Sequence, residues 1–173
     1  MMKKLKALLI TAITLGFLFT SLTGKAQSIT KNTFKWSIAE ETFRPVGHFH
    51  RESDFGIGGS VRMQYGLSDR VALTFTAGYY NFFVKAPYKN LGVEDYRLVP
   101  VKVGIKAFVL PHIYLAAEAG VGFEVNREKK RVFIASPGVG WANKSWDVGV
   151  RYENYAANNN GYGTLALRIA YGF

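Results

Sequence analysis

The sequence contains no cysteine, only five prolines and only three histidines in 173 residues. Without cysteine there is no disulfide framework, no Cys-ligated zinc, no thiol catalysis and no lipid-modified N-terminal Cys. Long apolar runs are missing beyond the N-terminus, and the mean hydropathy lies near zero. A polytopic helical membrane protein, which needs several runs of about 20 apolar residues, is thereby excluded. Aromatics are plentiful instead, at 15%, beside 20% charged residues. That composition excludes collagen-like and disordered chains. The length suits one domain.

Residues 1–26 read as a secretory signal peptide, leaving 27–173 as a β-barrel domain. Lys3, Lys4 and Lys6 form a basic start, an apolar stretch reaches Leu22, and Gly24 and Ala26 place small residues before Gln27. A retained anchor is the competing reading, since the apolar stretch is nearly long enough to span. Cleavage would remove four lysines and no acid, leaving 18 basic and 12 acidic side chains in 147 residues. The charges are scattered rather than gathered into a patch, and export removes nucleic acid as a partner. Anionic headgroups or the protein interior are the better destinations for the positive charge.

After the signal the dominant pattern has period two and is rich in Val, Ile, Phe, Tyr and Thr. Val71–Tyr79, Ile113–Val125 and Thr164–Phe173 are the clearest cases. The pattern predicts eight strands at 33–43, 54–66, 70–82, 96–109, 113–125, 131–141, 145–155 and 162–173. Strands of soluble domains run to about 5–6 residues, whereas crossing a bilayer at a tilt takes about 9–11. Tight turns at 67–69, 110–112 and 142–144 take turns with longer connections at 44–53 and 83–95 and intermediate ones at 126–130 and 156–161. An antiparallel up-and-down transmembrane barrel has this alternation, with short turns on the periplasmic side and longer loops outside.

Parity sorts the side chains onto two faces. Large apolar residues fill one face over all eight segments. The other carries Lys35, Glu41, Arg62, Lys102, Lys106, Glu118, Glu124, Asp147, Arg151, Glu153 and Arg168 among Gly, Ala, Ser and Thr. A soluble ligand-binding barrel would turn the apolar face inward, but eight strands enclose too little room for so many large residues. The apolar face therefore meets lipid. The inward charges, six basic and five acidic, predict a salt-bridged, plugged interior rather than an open pore. Aromatics near both strand ends predict interfacial girdles, formed by Tyr65, Tyr114, Trp141, Trp146, Tyr171 and Phe173 at one end. Tyr79, Tyr80, Phe82, Tyr96, Phe123 and Tyr152 form the other.

The strand–turn–strand from Met63 to Leu73 and the terminal Ala170-Tyr171-Gly172-Phe173 carry a family resemblance. The chain after Gln27 resembles the small eight-stranded outer-membrane β-barrel proteins, the OmpA/OmpX-like group of Gram-negative-type envelopes. The resemblance implies export by the general secretory route to the cell outer membrane. It also implies a monomer in contact with lipid and lipopolysaccharide. Tyr171 and Phe173 look like the signal that such proteins present to the barrel-assembly machinery. The group includes adhesins, structural proteins, porin-like members and enzymes, so architecture alone does not select an activity.

Catalytic chemistry has one candidate location. His48, His50 and Ser53 lie with Arg51, Glu52 and Asp54 in the first long loop. They could form an acyl-transfer site, or a metal site of two His and a carboxylate. A lipid A-modifying enzyme, deacylase or acyltransferase-like, is thus the alternative function. The His–x–Ser–Asn pattern associated with lipid A deacylases is missing, and His112 falls in a turn on the opposite side. The expected reading is a non-enzymatic barrel with a structural or surface-interaction role, without cofactor or metal. Asn126–Arg131 is a basic loop suited to solvent or to lipopolysaccharide phosphates.

Overall fold

The computed structural model describes residues 30–126, 131–157 and 160–173. The proposed export signal, residues 127–130 of the basic loop and the pair 158–159 lie outside them. Eight antiparallel strands close into a barrel: β1 (Phe34–Val46), β2 (Ser53–Gly66), β3 (Val71–Val84), β4 (Tyr96–Phe108), β5 (Ile113–Glu124), β6 (Arg131–Ala142), β7 (Trp146–Ala157) and β8 (Asn160–Gly172). Each strand pairs with its sequence neighbours, and β1 pairs with β8 from Ser37↔Gly172 to Val46↔Gly163. No sheet edge remains unpaired, the condition for placing strands in hydrocarbon. No helix among the described residues is long and apolar enough to cross a membrane.

The short turns are fixed by local polar groups. Ser68 Oγ accepts the Val71 amide at 3.1 Å, and Asn143 Oδ1 accepts those of Ser145 and Trp146 at 2.8 and 2.7 Å. Both are side chains that mimic a backbone turn. At the opposite end, one-turn helices α1 (Phe49–Glu52) and α2 (Ala86–Lys89) occupy the first two long connections.

Two sequence expectations change at this end. β1 continues to Val46 and β2 begins at Ser53, so the first loop shrinks to 47–52. β7 and β8 pair as far as Ala157↔Asn160, past the expected strand limits of 155 and 162. Asn160 and Gly161 read locally as a turn, but they pair with Ala157 and Ala156 and lengthen the ladder.

Side chains follow the pleat. Phe34, Trp36, Ile38, Phe75, Val103, Leu115, Val150 and Ile169 are exposed around the outside, where a membrane barrel meets lipid. Inward glycines let charged and aromatic side chains cross the narrow lumen. Gly120 lies opposite Lys102 in the ladder, and a Cβ there would run into the Val101 carbonyl oxygen and sit 2.7 Å from Lys102 Cα. Gly58 leaves room for the Tyr80 ring, whose Cδ1 would be 2.5 Å from a Cβ.

Gly120→Val is expected to cost about 1–3 kcal/mol by overpacking, read as a lower urea midpoint of the detergent-refolded protein. Gly59→Ala, facing outward with its nearest neighbour at 3.7 Å, is expected to leave that midpoint unchanged.

Candidate functional site

The barrel interior is layered. Nearest the short turns, a cavity of about 680 Å³ opens between residues that include Lys35, Gln64, Arg70, Lys106, Lys144 and Asp147. Lys35 is half-buried there and donates to the Lys144 carbonyl at 2.8 Å. Lys106 Nζ lies 2.6 Å from Asp147 Oδ2 and 3.9 Å above the Tyr114 ring, while the Tyr114 hydroxyl donates to Asp147 Oδ1 at 2.5 Å.

One layer further in, Arg62 Nη2 donates to Glu118 Oε2 at 2.8 Å. Thr76 and Thr74 donate to the other Glu118 oxygen at 2.8 and 3.1 Å. Above this pair Lys102 and Arg151 meet Glu153 Oε1 at 2.5 and 2.7 Å. Arg151 also binds Glu41, which accepts the Ser60 hydroxyl, and Tyr155 donates to Glu153. Arg168 reaches Glu41 and Asp147 only at 3.6 Å and donates to Ser37 at 3.2 Å.

Most of these close ion pairs span the lumen. Arg62 and Glu118 join β2 to β5, Lys106–Asp147 and Lys102–Glu153 join β4 to β7, and Arg151–Glu41 joins β7 to β1. Each carboxylate except Glu124 is buried, with hydrogen bonds that offset its desolvation. Glu124, expected with this set, is only half-buried at the loop end of β5.

Toward the loops the interior becomes aromatic. Phe43, Tyr80, Phe82, Tyr96 and Tyr155 are buried with Leu98, Val132 and Ile134. Tyr155 and Tyr162 stack at 4.8 Å, and the Tyr162 hydroxyl donates to that of Tyr96 at 2.5 Å. Phe49 of α1 caps the group, its ring 4.6 Å from Tyr162 and 5.3 Å from Phe82. Tyr80, Phe82, Tyr96 and Tyr114 were expected in the lipid-facing girdles and instead point inward. Position along the strand suggested the girdle, but parity decides direction: Tyr80 and Phe82 share the inward register of Thr74 and Thr76. Tyr79, Phe123, Tyr152 and Trp141 do face outward. Phe49 gave no sequence signal, since α1 is too short to show a period.

The loop candidates are not assembled for nucleophilic catalysis. Ser53 is fully buried and its hydroxyl donates to the Phe55 carbonyl at 3.3 Å. His48 is exposed, and His50 Nδ1 lies 3.3 Å from Asp54. Lys85 ties this corner together, 2.9 Å from Asp54 Oδ1 and 2.6 Å from the His50 carbonyl. No group of three metal-ligating side chains occurs among the described residues. Tyr171 packs its ring 5.5 Å from Trp146, and Phe173 exchanges backbone hydrogen bonds with Trp36 at 2.9 and 3.2 Å.

Glu118→Gln strands the buried Arg62 charge and is expected to cost about 3–5 kcal/mol, measured by urea unfolding in detergent. The double variant Arg62→Met/Glu118→Leu is expected to recover much of that loss. A double variant no better than the single one would show that the pair is not the source of the effect.

The sequence matches no family model and no curated protein. Solved structures do match. Ail, the attachment invasion locus protein of Yersinia pestis, superposes with TM-score 0.60 at 12% identity, over 83% of this chain and 100% of Ail. The N-terminal barrel domain of Pseudomonas aeruginosa OprF gives 0.54 at 16% identity, over 83% and 98%. Neisserial surface protein A gives 0.54 at 14%, over 80% and 94%. Ail has also been solved with the heparin analogue sucrose octasulfate. The closed ladder, the outward apolar band and these likenesses agree: the chain has the fold of the small eight-stranded outer-membrane β-barrels.

Proposed function

We propose that the protein is a non-enzymatic, monomeric barrel of the outer membrane whose loop end contacts anionic saccharide, above all lipopolysaccharide phosphates, and whose interior is closed to solutes. The observation that carries this reading is the filled lumen beneath the first loop. Cross-lumen ion pairs and an aromatic layer occupy the space that a porin would leave to water, and Phe49 folds over them. What remains available to a partner is the rim. Segments 44–54, 85–97 and 124–131 together carry nine Lys and Arg against six Asp and Glu. Arg44, Arg51, Lys89, Arg97 and Arg131 are exposed there. A polyanionic saccharide is also what one crystal of Ail contains.

Export by the general secretory route precedes assembly in this reading. Tyr171 and Phe173 serve as the signal to the barrel-assembly machinery, and no cofactor takes part. The engagement of the Ser53 hydroxyl with a backbone carbonyl favours this reading over a lipid A-modifying enzyme.

Nanodisc-embedded protein is expected to bind immobilised lipopolysaccharide with an affinity that falls as salt rises. Arg51→Glu/Lys89→Glu/Arg97→Glu should weaken binding at least about tenfold, at about 1.4 kcal/mol per tenfold. Equal binding by this variant would overturn the saccharide contact. A change in lipid A mass when the gene is removed would restore the enzymatic reading, and steady ion conductance across planar bilayers would refute the closed interior.

A further inference from the structure

The core holds an uneven number of charges. Among the described residues five cations are buried, Arg62, Lys102, Lys106, Arg151 and Arg168, against four carboxylates, Glu41, Glu118, Asp147 and Glu153. Lys35 and Glu124, half-buried at opposite ends of the barrel, balance each other and leave the difference unchanged. An uncompensated unit charge inside a narrow, lipid-surrounded barrel is expensive, because neither water nor protein supplies the missing countercharge.

The excess is localised. Arg62, Arg151 and Arg168 line one small cavity of about 20 Å³, together with Tyr114, Glu118, Ser136 and the Val139–Val150 pair of β6 and β7. Glu118 is committed to Arg62 and two threonine hydroxyls. Arg151 is committed to Glu41 and Glu153. Arg168 is the guanidinium left over. It is 2% exposed, and its Nε and Nη1 have no hydrogen-bond partner; Glu41 and Asp147 stand 3.6 Å away. A buried donor normally has a partner, and two on one charged group mark a place where an acceptor belongs.

We propose that this cavity is a binding site for one small monovalent anion of chloride size, held by the Arg168 guanidinium between Arg62 and Arg151. The charge argument and the hydrogen-bond argument converge on the same species. A chloride in the cavity sits beside three guanidinium groups and supplies the single negative charge that the core lacks. Water would satisfy the donors and leave the charge. The cavity exceeds the roughly 10–15 Å³ that one water-sized occupant needs, and it is too small for sulfate, phosphate or an organic carboxylate.

The test compares full-length protein refolded into detergent at one pH and ionic strength in sodium chloride, bromide or gluconate. The readout is the temperature at which the folded band on SDS gels disappears. Chloride and bromide are expected to raise that temperature by about 2–4 °C, with saturation, whereas gluconate is not. Arg168→Met should lose the difference between anions, and Lys144→Gln, at the turn-side mouth, should keep it. Should Arg168→Met fail to fold, crystals of the unaltered protein grown in bromide decide the question. An anomalous peak in the cavity beside Arg168 supports the site. Equal midpoints in chloride and gluconate, or no bromide peak there, would mean that water alone occupies the cavity and would overturn the proposal.

Discussion

Hydrocarbon offers a peptide group nothing to bond with, and every other feature of this barrel follows from that. A strand placed in lipid must give each N–H and C=O to a neighbouring strand, so the sheet has to close, as β1 does on β8. Closure fixes the pleat, and the pleat assigns every residue to one of two surroundings. Large apolar side chains are favourable outside and could not all fit inside. The inside then receives the charges, in a lumen too narrow for them to remain solvated. Ion pairing across the lumen is therefore the consequence of an unpaired peptide's cost.

Much of this was legible in the sequence, because period two states direction directly. Thr74 and Thr76 alternate with Leu73 and Phe75, and that alone separates the two faces of β3. The exceptions lie where position along a strand and parity point to different surroundings. Tyr80, Phe82, Tyr96 and Tyr114 lie near strand ends, where girdle aromatics belong, but they occupy inward positions. The pairing of the charges was not legible. Arg62 and Glu118 are 56 residues apart on strands that do not touch, and only the curvature of the closed sheet sets them face to face. The burial of Phe49 was hidden for a related reason: a four-residue helix has no period, and its position depends on the ring of aromatics waiting below it.

The two ends of the lumen are built from different materials. The turn end is polar and open, with a cavity among lysines, an arginine and carboxamide groups. The loop end is aromatic and dry, with tyrosine hydroxyls bonded to one another or to the ion pairs beneath. Rigid rings packed under α1 give the first loop a fixed floor, so its orientation is set by packing more than by its own weak helical preference. A surface that must meet a partner loses less entropy when its base is already ordered.

The backbone bonds between Phe173 and Trp36 join the last residue of the chain to the first strand. The seam that completes the barrel can thus form only when the final strand is present. A chain halted before β8 would hold β1 and β7 as bare edges, intolerable in lipid and adhesive in water. The peptide groups of β1 and β8 therefore gain their last partners together, when the two strands meet. Closure is thus one event shared by two strands, and it sets β1 and β8 apart from the six strands whose partners are both sequence neighbours.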